Sequence, residues 1–308
     1  MITIETKKLT KKFNGFSAVD QLDLHVPEGS IYGFLGPNGA GKTTTIKLLT
    51  GLSKPTSGEI KICGKEVSFG SLKNRSDIGF LPDVPNFYDW MKPAEFLIFC
   101  GELFSIDKKL LSNRVEYLLD LVGLAGVKKK IGGFSRGMKQ RLGIAQALIN
   151  EPKVVFLDEP TSALDPIGRK EVMDIIGKLS GKVTVFLSSH ILADIERVCN
   201  RVVILDKGKV MIEDSIPNLR QKFARQGIEM ELDETVNKKK VLELLNEQSW
   251  VESARNEING TFIIYTNNMK EAQINIPRLL DEHKLALKKF ALLEPTLEDV
   301  FLKVVNKT

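Results

Sequence analysis

Cysteine is scarce in this 308-residue chain: Cys63, Cys100 and Cys199 are far apart and odd in number. That excludes a disulfide framework and a cysteine zinc site, and it fits a reducing compartment. No apolar run approaches the ~18–20 residues needed to cross a bilayer. Candidates such as Val154-Val155-Phe156-Leu157 end at a charge, so the chain is not expected to form a pore by itself. Met1-Ile2-Thr3-Ile4-Glu5 lacks the basic-then-apolar pattern of a signal peptide. Position 2 is not glycine, and Asn306-Lys307-Thr308 is no prenylation tail. A strong charge of one sign is missing too. The 44 basic and 39 acidic residues leave a net charge of +5, too little to suggest nucleic-acid binding. From Ile216 onward the two signs balance at 14 each, so the excess lies entirely in the first 215 residues. Repeats and low-complexity segments are absent. Lys128-Lys129-Lys130 and Lys238-Lys239-Lys240 read as solvated faces.

What is present is an ordinary globular composition, 43% hydrophobic and 27% charged, and a length suited to two unequal domains. Ile2–Glu5 and Leu22–Val26 alternate like strands, and Ile31–Leu35 is a compact apolar run of the buried-strand kind. A helix is expected from Thr43 to Leu49, and short strands at Glu59–Ile62 and Ile78–Leu81. Helical spacing dominates from Pro93 to Ile149. Strands return at Val154–Leu157 and Val183–Leu187, separated by a helix near Gly168–Leu179. That alternation marks a parallel α/β sheet. Asp206-Lys207-Gly208 reads as a hairpin turn. After Pro217 the order βαββαβ is expected: strands at Ile228–Leu232, Trp250–Arg255, Thr261–Tyr265 and Leu285–Leu292, with helices at Val236–Asn246 and Met269–Glu282. A last helix, Thr296–Val305, has Thr296 as its N-cap. This order suits a ferredoxin-like module.

The chemistry is concentrated in a few segments. Gly36-Pro37-Asn38-Gly39-Ala40-Gly41-Lys42-Thr43 fits G-x-x-x-x-G-K-[ST] between a strand and a helix. Its glycines let backbone N–H groups wrap phosphate oxygens, Lys42 reaches the β- and γ-phosphates, and the Thr43 hydroxyl binds Mg²⁺. The helix start favours an anion. Val154–Leu157 is a buried strand ending in Asp158 and Glu159. Asp158 is the Mg²⁺ carboxylate of a P-loop site. Glu159, at the strand's end, is the candidate acceptor of a proton from the attacking water.

With those residues in hand, the first 215 resemble the ATP-binding cassette (ABC) ATPases. Phe134-Ser135-Arg136-Gly137-Met138 stands where that family has its LSGGQ signature, followed by Lys139–Ala145, which is similar to the signature helix. Ser162-Ala163-Leu164-Asp165 resembles the D-loop, Ser189-His190 the switch histidine, and Phe13 the adenine-stacking aromatic. His25 and His283 keep structural readings. The resemblance implies an α/β P-loop NTPase fold: a RecA-like parallel sheet core, an antiparallel β subdomain and a helical subdomain, plus a small α+β C-terminal domain. The expected division is an ABC ATP-binding domain at 1–217, with the helical subdomain at about 85–150, and an accessory domain at 218–308.

The resemblance further implies ATP and Mg²⁺ as ligands and a homodimer with two composite sites. Each ATP would be held by Lys42, Thr43 and Thr44 of one subunit and by Ser135 and the Gly137 backbone of the other. His190 would touch the γ-phosphate, and Asp165 would report on the opposite site. Phe134 and Met138 stand in place of the signature's leucine and glutamine, and two further positions depart from the family pattern. Arg136 replaces a glycine, and Asp83 replaces the Q-loop glutamine. Asp83 serves either the metal or only the shape of its loop.

Most ATPases of this form drive transport, which implies a separate integral permease and a peripheral position on the cytoplasmic face of the membrane. No nucleic-acid partner is expected. The cluster Phe87, Tyr88 and Trp90 borders the family's permease groove, so alanine at Phe87 or Trp90 is expected to uncouple transport. The alternative is that these rings fill the helical subdomain. Leu293–Phe301 is similar to the tail of ATPase subunits from bacterial multidrug and antibiotic-peptide exporters, which points to export. The rival function is a soluble ABC ATPase acting on ribosomes or DNA. Against it stand a single P-loop and the lack of sustained heptads.

Overall fold

The N-terminus forms two long strands, the first carrying Lys7, Lys8, Lys11 and Lys12. In the computed structural model, which describes residues 1–71, 74–223, 226–233, 235–257, 260–293 and 296–305, β1 (Ile2–Phe13) pairs antiparallel with β2 (Phe16–Pro27). Both strands outrun the alternation that signals them. Register shifts between Thr6 and Leu9 and between Leu9 and Lys11 re-phase the side chains, so the period-2 pattern breaks while the pairing continues. Asn14 and Gly15 close the hairpin at positive φ, the geometry that matches strand twist.

The core elements follow in order: β3 (Ile31–Leu35), α1 (Lys42–Leu49), β4 (Ser57–Ile62), β5 (Lys65–Glu66), β6 (Ile78–Leu81), α2 (Pro93–Leu103), α3 (Lys108–Leu121), α4 (Arg136–Ala147), β7 (Val154–Asp158), α5 (Pro166–Gly177), β8 (Thr184–Ser189), α6 (Leu192–Val198), β9 (Arg201–Asp206) and β10 (Lys209–Ser215). One antiparallel sheet has the order β2-β1-β4-β5. The main sheet runs β10-β9-β3-β8-β7-β6, parallel except for the β9–β10 hairpin. Strands β3, β7 and β8 are buried along their whole length, as a parallel sheet covered on both faces requires. Phe34, Phe156 and Phe186 pack ring to ring at its centre, with centroids 4.8 and 5.5 Å apart. Helix α6 escapes the sequence reading: it has seven residues and no side-chain N-cap.

Strand β6 and helix α4 approach closely at two glycines. A Cβ on Gly79 would lie 1.9 Å from the Ala147 carbonyl oxygen, and one on Gly143 would lie 2.4 Å from Leu81 Cδ1. The Gly79 clash is with backbone, which cannot rotate away. Gly79→Ala is therefore expected to cost about 3 kcal/mol, the upper range for overpacking, read as a lowered urea midpoint.

Two compact units are built around Met1–Ile216 and Pro217–Lys303. Helix α7 (Ile216–Phe223) opens at Ile216-Pro217. The sequence reading took this proline as a boundary, yet proline suits a first helical turn. The second unit continues with β11 (Gly227–Leu232), α8 (Lys238–Asn246), β12 (Val251–Asn256), β13 (Thr261–Thr266), α9 (Met269–Glu282), β14 (Leu287–Leu292) and α10 (Leu297–Val305). Its sheet order, β12-β13-β11-β14, is antiparallel throughout. The expected βαββαβ module is thus present. Ile228, Met230, Phe262 and Ile264 pack with Val241 and Leu245 of α8 and Ile276 and Leu280 of α9. Thr296 caps α10, its Oγ1 accepting from the Asp299 amide. Asn259, between the strands expected at Trp250–Arg255 and Thr261–Tyr265, and Glu294 and Pro295 of the tail motif lie outside the described residues.

Candidate functional site

The loop between β3 and α1 is shaped by glycines that nothing else could replace. Gly41 has φ 101°, and a Cβ there would meet the Ala18 carbonyl oxygen at 2.3 Å. Gly36 is walled by Leu205 O and Ala40 Cβ at under 3 Å. The loop folds back on Lys42, whose Nζ donates to the carbonyls of Gly36 (2.8 Å) and Pro37 (3.2 Å). Helix α1 begins at Lys42, so the amides of Lys42, Thr43 and Thr44 are first-turn donors without intrahelical partners.

The end of β7 supplies the acids, and the end of β8 supplies their partners. Asp158 is 2% exposed, and its Oδ1 accepts from Ser188 Oγ (2.7 Å) and Thr43 Oγ1 (3.2 Å). Burial pushes its carboxyl above the usual aspartate range, against the opposing pull of the two hydroxyls. Such a buried carboxylate, beside a hydroxyl oxygen, is a hard oxygen donor set that a divalent cation would relieve. The residues therefore fit Mg²⁺. Glu159 turns away at positive φ, 47°, held by amide donation to Ser188 Oγ and to the Ser188 carbonyl. This turn separates two neighbouring carboxylates that a continued strand would merely alternate. Glu159 Oε1 pairs with Lys42 Nζ at 3.1 Å, and Oε2 lies 2.8 Å from His190 Nδ1.

A cleft of about 560 Å³ is lined by Phe13, Asn38, Gly39, Gly41, Lys42, Thr43, Thr44, Asp83, Glu159 and His190, with Asp158 just behind Thr43. Gly36, Pro37 and Ala40 lie in the adjoining loop. Phe13 stands at the rim, half exposed, with Lys11 Nζ 4.8 Å from its ring centroid. Sequence reasoning missed its cross-strand neighbour Phe16, which also lines the cleft and is 62% exposed. It also missed Ser188, although a hydroxyl closing an apolar strand was a usable signal.

Besides Asp158 and the loop residues Gly36, Pro37 and Ala40, the expected residues Ser135, Gly137 and Asp165 do not line this cleft. Ser135 caps α4, its Oγ accepting from the Met138 amide at 3.2 Å. Asp165 caps α5 through the Gly168 amide at 3.1 Å. A Cβ on Gly137 would meet nothing nearer than 3.9 Å, so its smallness is not demanded by this chain's own packing. Two departures from the signature and Q-loop patterns face one another. Arg136 Nη2 is 3.9 Å from Asp83 Oδ1, and the Asp83 carbonyl accepts from Gln140 Nε2 at 2.8 Å.

Comparison with known proteins agrees with this geometry. Residues 19–162 match the "ABC transporter" family model, and residues 215–305 match "ATP-binding protein DrrA1-3-like, C-terminal domain". The chain is 38% identical to the uncharacterized ABC transporter ATP-binding protein YxlF of Bacillus subtilis, over 99% of this chain and 100% of that protein. It is equally identical, 38%, to the bacitracin transport ATP-binding protein BcrA of Bacillus licheniformis, over 98% and 97%. Among solved structures, the dimeric post-hydrolysis state of the ATP-binding cassette MJ0796 bound to ADP and Pi superposes with a TM-score of 0.61 at 26% identity, covering 69% of this chain and 98% of that one. With its P-loop and acidic strand ends in one cleft and a match along nearly its whole length, the chain belongs to the family of ABC transporter ATP-binding proteins.

Proposed function

We propose that this ATPase works as a homodimer energising export by a separate membrane permease, from the cytoplasmic face. The carrying observation is the cleft lined by Lys42, Thr43, Glu159 and His190, with Asp158 hydrogen-bonded to Thr43 behind it. Lys42 and the α1 amides bind the phosphates. Mg²⁺, held by Thr43 and Asp158 and supported by Asp83, would neutralise phosphate charge. Glu159 takes a proton from water as the water oxygen bonds to the γ-phosphorus. The bond from that phosphorus to the β,γ-bridging oxygen breaks, giving ADP and phosphate. His190 holds the Glu159 carboxylate in position and reaches the γ-phosphate. Ser135 and Gly137 act on the ATP of the partner cassette. The openness around Gly137 and its place outside the cleft support that role.

Among the described residues no helix is long and apolar enough to cross a membrane, which supports a second chain as the conduit. A groove of about 400 Å³ between the helical subdomain and the core suits a permease's cytosolic helix. It is lined in part by Leu52, Phe80, Leu103, Phe104 and Ile149, and Leu103 is 70% exposed. The expected aromatic cluster divides. Phe87 is half-buried and packs edge-on to Phe96 at 5.2 Å, so Phe87→Ala tests stability. Trp90 is exposed, resting on Tyr88, and remains a contact candidate. The full-length match to a bacitracin transport protein supports an antibiotic-like cargo.

Purification from detergent-solubilised native membranes is expected to bring down an integral membrane protein. Leu103→Asp is expected to lose that protein while binding fluorescent ATP as before. Co-sedimentation with ribosomes instead would overturn the transport reading.

A further inference from the structure

Asp83 has its main chain fixed and its carboxylate uncommitted. Its carbonyl is held by Gln140, a buried side chain on α4. Its Oδ1 is shielded from solvent and accepts no hydrogen bond among the described residues. Among the described residues that oxygen's one ion-pair neighbour is Arg136, at a long 3.9 Å. The same residue lines the cleft with Thr43 and Thr44. A shielded carboxylate oxygen without a hydrogen bond, beside a cation site, attracts whichever positive charge approaches it best.

We infer that Arg136 is a positioning residue that competes with the metal for Asp83, setting how much Mg²⁺ the nucleotide site requires. The inference rests on the nucleotide-site reading above. A guanidinium presents several donors in a planar fork that suits a carboxylate. When Asp83 turns to a metal–nucleotide complex, Arg136 loses its partner. That loss subtracts from the metal's gain. Both side chains are nearly half exposed, so the subtraction is modest, about 1.5- to 5-fold in an equilibrium. Because Arg136 is the first residue of the helix that Ser135 caps, the exchange also links metal occupancy to the surface offered to a partner cassette.

The test is a Mg²⁺ titration of mant-ADP binding to the full chain, at concentrations where light scattering shows a single protomer. Arg136→Gly is expected to lower the half-saturating Mg²⁺ about 1.5- to 5-fold, and Arg136→Lys to restore most of the wild-type value. In an Asp83→Asn background, Arg136→Gly is expected to shift nothing. Binding in EDTA should be the same with and without Arg136. Equal Mg²⁺ midpoints for wild type and Arg136→Gly, or a shift that survives in Asp83→Asn, would overturn the competition. Failure of the wild type to bind mant-ADP, or wild-type binding by Lys42→Ala, would overturn the nucleotide-site reading as well.

Discussion

Glu159→Gln is expected to slow ATP turnover by about 10²–10⁴-fold, the usual contribution of a positioned general base, with nucleotide still bound. The substitution keeps the side chain's length and one oxygen acceptor, so contact with His190 Nδ1, 2.8 Å away in the native chain, is retained. It removes the charge that Lys42 answers at 3.1 Å. Lys42 then has only the Gly36 and Pro37 carbonyls as competitors for the phosphates, so nucleotide affinity is expected to hold or rise. Single-turnover hydrolysis measured beside equilibrium binding separates the two effects. Unchanged turnover would remove Glu159 from the proton-accepting role.

Lys42→Ala is expected to act in the opposite sense, weakening nucleotide binding by roughly 10- to 150-fold, the equivalent of one lost charge-assisted hydrogen bond. It should also destabilise the fold. Lys42 and Glu159 are both nearly buried, at 6% and 11% side-chain exposure. Removing one partner of such a pair costs about 3–5 kcal/mol. Because His190 remains against Glu159, the lower figure is expected, a fall in melting temperature of roughly 6–12 °C for a unit of this size. The double variant Lys42→Ala/Glu159→Gln should recover most of the melting temperature and none of the affinity. Such non-additivity is the mark of direct coupling. Recovery of both, or of neither, would separate Lys42 from the role given to it.

The nucleotide cleft was legible because its chemistry lies in contiguous segments. A glycine loop between strand and helix, and a buried strand ending in Asp158 and Glu159, each carry their meaning locally. The βαββαβ order was legible for a similar reason, since each element is long enough to show its period. What stayed hidden depends on distance or on brevity. Arg136 and Asp83 were visible only as two separate departures from a pattern, and folding alone makes them neighbours. The groove beside Phe80 and Leu103 draws its walls from several segments, none apolar enough to stand out alone. Helix α6 is too short to declare a face, and bulges in β1 scramble the alternation that would have revealed its length.

The glycine contact between β6 and α4 has a mechanical consequence. Gly79 and Phe80 line the groove, and Gly79 rests directly on the Ala147 end of α4. The helix is twelve residues long, about 18 Å, and Ser135 stands at its far end. Between strand and helix at that point there is no side chain to change rotamer and soften a push. Backbone against backbone is as stiff as a protein interior becomes. A displacement delivered to the groove would therefore be passed on as a tilt of the whole rod. Ser135 and Gly137 sit at the tip of that lever, where a small angle becomes the largest travel.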